Sequence, residues 1–226
     1  MPRFFRTDRG YGGGPRRLVN LGAAFLTVML WAGEAAPATP GTPIRILAFG
    51  DSLTAGYGLA PEDSFPVKLA ARLQADGVAA DVVNGGFSGD TSAGGLSRID
   101  WSLKDKPQYA LVELGANDAL RGLDPKSTEA NLDKILARFK AAGVRTLLIG
   151  MRAPGNWGSA YQANFDAIYP RLARKYGVPL YPFFLDGVAL DPALNQGDGL
   201  HPNARGVELI VARIAPAVER LVKQPK

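Results

Sequence analysis

Ile44-Arg45-Ile46-Leu47-Ala48-Phe49-Gly50-Asp51-Ser52-Leu53-Thr54 sets a short apolar run directly against a glycine, an acid and two hydroxyl side chains. A run this short, rich in Ile and Leu and alternating poorly, reads as a strand buried on both faces. Four more runs read the same way, at 80–84, 109–114, 145–150 and 178–183. Helical patterns lie between them. Leu132, Ile135, Leu136 and Phe139 follow the i, i+3, i+4, i+7 spacing, with Asp124-Pro125 as N-cap and first turn and Gly143 as the stop. Phe165, Ile168, Tyr169 and Leu172 repeat that spacing. So do Val207, Ile210, Val211, Ile214 and Val218, in a helix that Pro216 should kink. Strands alternating with helices imply a three-layer α/β/α sandwich, with a five-stranded parallel sheet and right-handed crossovers. In such sheets, ligands bind beyond the carboxyl ends of the strands.

The chemically active residue types fall at those ends. Ser52 follows the first strand, beside a glycine that permits a tight turn. The second strand leads into Gly85-Gly86-Phe87-Ser88-Gly89-Asp90-Thr91-Ser92, where glycines let backbone N–H groups approach a ligand. The third ends in Gly115-Ala116-Asn117-Asp118. Asp198-Gly199-Leu200-His201-Pro202-Asn203 precedes the last helix. One hydroxyl, one amide, free N–H groups and an Asp/His pair suit acyl transfer. A serine hydroxyl needs a base to become a nucleophile. His201, the single histidine of the chain, is the only imidazole that can serve. Asp198 can hold its tautomer and stabilise the imidazolium. The Ser52 and Gly89 N–H groups and the Asn117 side chain can bind the oxyanion.

Four blocks in this order resemble the SGNH (GDSL) hydrolases. Gly50-Asp51-Ser52-Leu53 resembles the first block, and Gly89 in Ser88-Gly89-Asp90-Thr91 the second. Gly115-Ala116-Asn117-Asp118 resembles the third, and Asp198-Gly199-Leu200-His201-Pro202 the last. Residues 112–122 and Ala167-Ile168-Tyr169-Pro170 are most similar to the bacterial thioesterase I, arylesterase and lysophospholipase L1 group. The resemblance implies a flavodoxin-like strand order 2-1-3-4-5. It also implies hydrolysis of acyl esters and thioesters by Ser52, His201 and Asp198, with an oxyanion hole of Ser52, Gly89 and Asn117. One departure is Ala116, where the group often has glycine; its methyl would narrow the cleft slightly.

The remaining candidates have plainer readings. Ser88 lacks the G-x-S-x-G setting of a nucleophile elbow, because Asp90 stands at its last position. Asp51 and Asp90 read as acceptors that fix their loops. Glu113 is out of place in an apolar strand and calls for a buried donor. Tyr57, Leu59, Leu120 and the 153–158 loop with Trp157 are candidates for an acyl cleft, or for rim packing.

The net charge of +5 is concentrated at the front. Arg3, Arg6, Arg9, Arg16 and Arg17 outweigh Asp8 and Glu34, leaving 21 basic against 19 acidic side chains beyond residue 35. No basic face interleaved with aromatics emerges, so nucleic acid is not an expected partner. Residues 1–17 are arginine-rich, 18–33 largely apolar, and Ala36-Pro37-Ala38 offers a cleavage pattern. That order is a secretory leader over 1–38, with export to the periplasm or medium, or else an uncleaved N-terminal anchor. A linker over 39–43, a catalytic domain over 44–222 and a tail over 223–226 complete the expected layout. The chain has no cysteine, which excludes disulfides, thiolate nucleophiles and lipoprotein anchoring. No metal or cofactor is expected. The expected unit is a monomer acting on a small acyl ester or thioester, with transient contact to lipid or membrane-derived substrate. Two other functions fit the same residues: a carbohydrate O-deacetylase or acyltransferase of the superfamily, and a non-catalytic periplasmic acyl-binding module.

Overall fold

The computed structural model describes residues 43–224, together with Gly13 and Gly14. The rest of the expected leader, most of the linker and the last two residues of the tail lie outside the described residues. In chain order the elements are β1 (Ile44–Gly50), α1 (Ser52–Ala55), α2 (Phe65–Ala75), β2 (Ala80–Gly86), α3 (Ser92–Ser102) and β3 (Tyr109–Glu113). They continue with α4 (Ala116–Leu120), α5 (Pro125–Ala141), β4 (Arg145–Ile149), α6 (Ser159–Asp166), α7 (Ile168–Tyr176), β5 (Leu180–Tyr181) and α8 (Ala204–Lys223). The five strands form one sheet in the order β2-β1-β3-β4-β5, and every pair is parallel. Helices α2 and α8 pack together on the sheet, and α3, α5 and α7 form a second helical layer.

The centre of the sheet is the core. Ile46, Phe49, Ala110, Val112, Leu148 and Ile149 are fully buried, which removes them from water on both faces. Phe139 of α5 meets Phe49 edge-on with ring centroids 5.6 Å apart. The expected start of α5 is present: the Asp124 carboxylate accepts the Lys126 N–H and Pro125 occupies the first turn. The strand expected over 178–183 shrinks to two residues. Pro179 and Pro182 bracket it, and neither has an N–H to give a ladder. Carbonyls of the segment still accept, Pro179 from the Leu148 N–H and Tyr181 from the Gly150 N–H. The Phe165–Leu172 pattern divides between α6 and α7 at Ala167. Pro170 cannot donate to the Asp166 carbonyl, which interrupts the helical ladder where the two helices meet. Helix α8 continues through Pro216.

Register decides what meets at the carboxyl edge. Gly50 lies opposite Gly86 of β2 on one side and Glu113 of β3 on the other. The loops after these three strands, which carry Ser52, Gly89 and Asn117, therefore start at one level.

Candidate active site

The turn after β1 is built on close approach. A side chain at Gly50 would collide with the Thr54 hydroxyl and with Glu113, so only glycine fits. Asp51 caps α1 by accepting the Leu53 N–H at 3.0 Å. Ser52 is the first residue of that short helix and is 9% exposed. Arg98 of α3 braces the turn from behind. Its guanidinium lies over the Phe49 ring, donates to the Gly50 carbonyl at 2.8 Å and pairs with Asp90 at 2.6 Å.

His201 arrives from the far end of the chain. Its Nε2 is 2.9 Å from Ser52 Oγ and its Nδ1 is 2.6 Å from Asp198 Oδ2. A carboxylate only accepts, so Nδ1 carries the proton and the Nε2 lone pair faces the Ser52 hydroxyl. The other Asp198 oxygen accepts the N–H groups of Leu200 and His201 at 2.9 and 3.0 Å. These backbone bonds, followed by the imidazole bond, hold the Asp198 carboxyl down to about 2. The Tyr57 ring leans against the imidazole, with centroids 4.7 Å apart.

Gln196 ties the two ends of the chain together. Its side-chain amide donates to the carbonyls of Tyr57 and Pro202, and its backbone N–H donates to the His201 carbonyl at 2.7 Å.

The second and third loops lie against this pair. Gly89 has φ of +87°, and the Arg121 guanidinium holds its carbonyl at 3.0 Å. Among the described residues, neither the Ser52 nor the Gly89 N–H has a protein acceptor. Asn117 Nδ2 donates to the Asp90 carbonyl at 2.9 Å and to Asp51 Oδ2 at 3.3 Å. Asp118, buried beside it, accepts the Ser92 N–H at 2.7 Å, the Ser92 hydroxyl and the Thr128 hydroxyl, which fastens the third loop to α3 and α5. Glu113 has its buried donor, the Thr54 hydroxyl at 2.7 Å. Ser88 shares the second loop, but the one imidazole is engaged with Ser52. Leu120, Tyr57 and Trp157 are about half exposed. The Trp157 indole donates to the Ala119 carbonyl at 2.9 Å, which joins the 155–158 turn to α4.

Arg98, Gln196 and Asp118 were not singled out from sequence. Asp118 alone left a signal, an acid in the first turn of α4. Arg98 and Gln196 each reach a partner remote in the chain, Gly50 and Tyr57, which no local pattern marks.

The profile of the GDSL-like lipase/acylhydrolase family matches residues 48–209. The chain belongs to that family. The hydrolase is 42% identical over 199 residues to thioesterase 1/protease 1/lysophospholipase L1 of Escherichia coli K12, covering 88% of this chain and 92% of that one. It is 40% identical over 180 residues to an arylesterase of Vibrio mimicus, covering 79% and 88%. Among solved structures it resembles AlinE4, an esterase of the SGNH-hydrolase family, at 49% identity and a TM-score of 0.69, covering 82% of this chain and all of that one. No group of three or more metal-binding side chains is arranged around a common centre among the described residues. Nor is any helix among them long and apolar enough to cross a membrane.

Proposed function

We propose that this hydrolase cleaves carboxylic esters and thioesters of acyl chains through a Ser52-His201-Asp198 triad. The observation that carries the reading is the unbroken hydrogen-bond chain from the Ser52 hydroxyl through both imidazole nitrogens to a carboxylate. His201 Nε2 takes the Ser52 proton as Oγ attacks the acyl carbon. The tetrahedral oxyanion is held by the Ser52 and Gly89 N–H groups and by Asn117 Nδ2. The imidazolium then protonates the departing alcohol or thiol, which leaves an acyl-Ser52 ester. Water, deprotonated by His201, attacks that ester, and collapse returns the carboxylic acid and free Ser52.

Tyr57, Leu120 and Trp157 contribute apolar surface for the acyl group, and the arylesterase and thioesterase names of the relatives support that substrate class. The arginine-rich, apolar and small-residue order of residues 1–38 supports export to the periplasm or medium before catalysis. The mature domain then begins near residue 44.

Ser52→Ala and His201→Ala each lower kcat on a short p-nitrophenyl ester by ~10⁴–10⁶. Substantial activity in either variant overturns the mechanism. A chain-length series of p-nitrophenyl and acyl-CoA substrates tests the substrate class. Release of acetate from acetylated glycans, with no turnover of longer acyl chains, would replace this reading with a deacetylase.

A further inference from the structure

Two carboxyl groups lie buried behind Ser52, and the reaction above uses neither. Glu113, at the end of β3, is 1% exposed. Its Oε2 accepts the Thr54 hydroxyl at 2.7 Å and the Asp51 N–H at 3.4 Å. Its Oε1 is buried and receives no hydrogen from the protein. Asp51 is the neighbouring acid: its own N–H reaches Glu113 Oε2, and it too is fully buried. Two buried carboxyls so placed disfavour each other's ionisation, and a proton on one of them removes that cost. An oxygen that receives no hydrogen is where that proton belongs.

Asp51 has donors of its own. Oδ1 takes the Leu53 N–H, and Oδ2 takes Asn117 Nδ2 at 3.3 Å. With the Asp90 carbonyl at 2.9 Å on the same nitrogen, two acceptors flank Nδ2. Turned by half a rotation, the Asn117 amide would set its own oxygen against both acceptors. The pair of acceptors therefore fixes the orientation in which Asn117 presents N–H. The longer bond, to Asp51, is the one an incoming oxyanion can share.

We propose that Glu113 and Asp51 share one proton beneath Ser52, and that this pair is a positioning device setting the direction in which the Asn117 amide donates. The inference rests on the reading of Asn117 as an oxyanion donor. A proton on Glu113 makes it a donor to Asp51. Asp51 stays the anion that aims Asn117 and lies within the field of His201. Were Glu113 ionised as well, two adjacent buried anions would oppose the developing oxyanion.

The other groups around the pair fit this division. Asp118 and His201 act on Asp51 by charge. The Arg98 cation lies on the Gly50 carbonyl and on Asp90. The buried Tyr169 hydroxyl is committed to the Leu114 carbonyl. Burial first, and the Asp51 charge second, hold Glu113 well above the usual carboxylate range, and burial raises Asp51 to about 6.

The test combines a spectrum with a mutant cycle in the full-length protein. Infrared difference spectra at neutral pH should show a protonated-carboxyl C=O stretch in wild type that vanishes in Glu113→Gln. Absence of that band from wild type overturns the shared proton, whether or not other variants fold. In kinetics on a p-nitrophenyl ester, Glu113→Leu should lower kcat about tenfold at near-constant KM, as expected for one misdirected hydrogen bond. Glu113→Gln, which keeps a donor for Asp51 and an acceptor for Thr54, should recover most of that loss. Adding Glu113→Leu to Asn117→Ala should cost little more than Asn117→Ala alone. If the two losses instead multiply, the positioning role is overturned while the oxyanion reading stands. If Asn117→Ala leaves kcat unchanged, it is the oxyanion reading that fails.

Discussion

Asp51 and Asp198 flank the Ser52–His201 contact from opposite sides. Asp51 is fully buried; its partners include Asn117 and Glu113, more than sixty positions along the chain, and burial lifts its carboxyl to about 6. The Asp198 side chain is 39% exposed. All its partners lie within three residues, and backbone N–H groups hold it down to about 2. One residue type thus behaves in two ways, because an anion left without enough donors in a dry site is costly and an anion capped by three donors is not. The Ser52 side is positioned by the packed sheet. The His201 side is positioned by a local turn, which Gln196 then docks onto Tyr57.

The sharpest way to break this comparison is Asp198→Asn. The amide oxygen can still accept the Leu200 and His201 N–H groups, so the turn and the melting temperature should change little. Nδ1 would lose its anion, and kcat should fall by up to ~10⁴. A loss below tenfold would mean that the imidazole is oriented by something other than Asp198.

On the sheet side the expected effect is on stability. Asp118→Ala strands the Ser92 N–H and the hydroxyls of Ser92 and Thr128 in a dry site. Urea unfolding should show a loss of about 3 kcal/mol, given ~1–3 kcal/mol for each buried group left unpaired. A loss confined to kcat, with stability intact, would show that water replaces the carboxylate there.

The smallest effects separate the two sides by pH. Asp198 has a lowered folded value, so its contribution to stability is present above the unfolded value near 3.9 and is lost as pH falls toward 2. The melting-temperature gap between wild type and Asp198→Ala should close in acid. Glu113 has a raised folded value, so keeping it protonated costs more as pH rises. Glu113→Gln should therefore melt above wild type by a margin that widens from acid to neutral pH, at ~2–4 °C per kcal/mol for a domain of this size. A margin that is flat in pH would sink the assignment of a buried proton to Glu113.

Much of the candidate site was legible in the sequence because three of its four motifs come just after strands. Gly50-Asp51-Ser52 after an apolar run announces a turn at a sheet edge, and Asp198 three residues before His201 already spells the local turn. The fifth strand was overread, since a run of apolar residues does not show that Pro179 and Pro182 deny it a ladder. The Phe165–Leu172 periodicity likewise concealed the break at Ala167, because the interrupted hydrogen bond belongs to Pro170 and not to the apolar pattern.

By itself the amino-acid sequence determined the alternation of strands and helices, the edge of the sheet where the chemically active residue types gather, and the single imidazole available to a serine. These follow from local pattern and from composition. Only the tertiary structure decided that Thr54 answers Glu113, that Arg98 braces Gly50 and Asp90, and that Asp51 stands between Glu113 and Asn117. Apart from the Arg98–Asp90 pair, eight positions apart, those contacts join residues 48 to 66 positions apart. What sets them is strand order and register, since parallel pairing brings Gly50 level with Glu113 in a space too dry for either carboxylate to be left unpartnered.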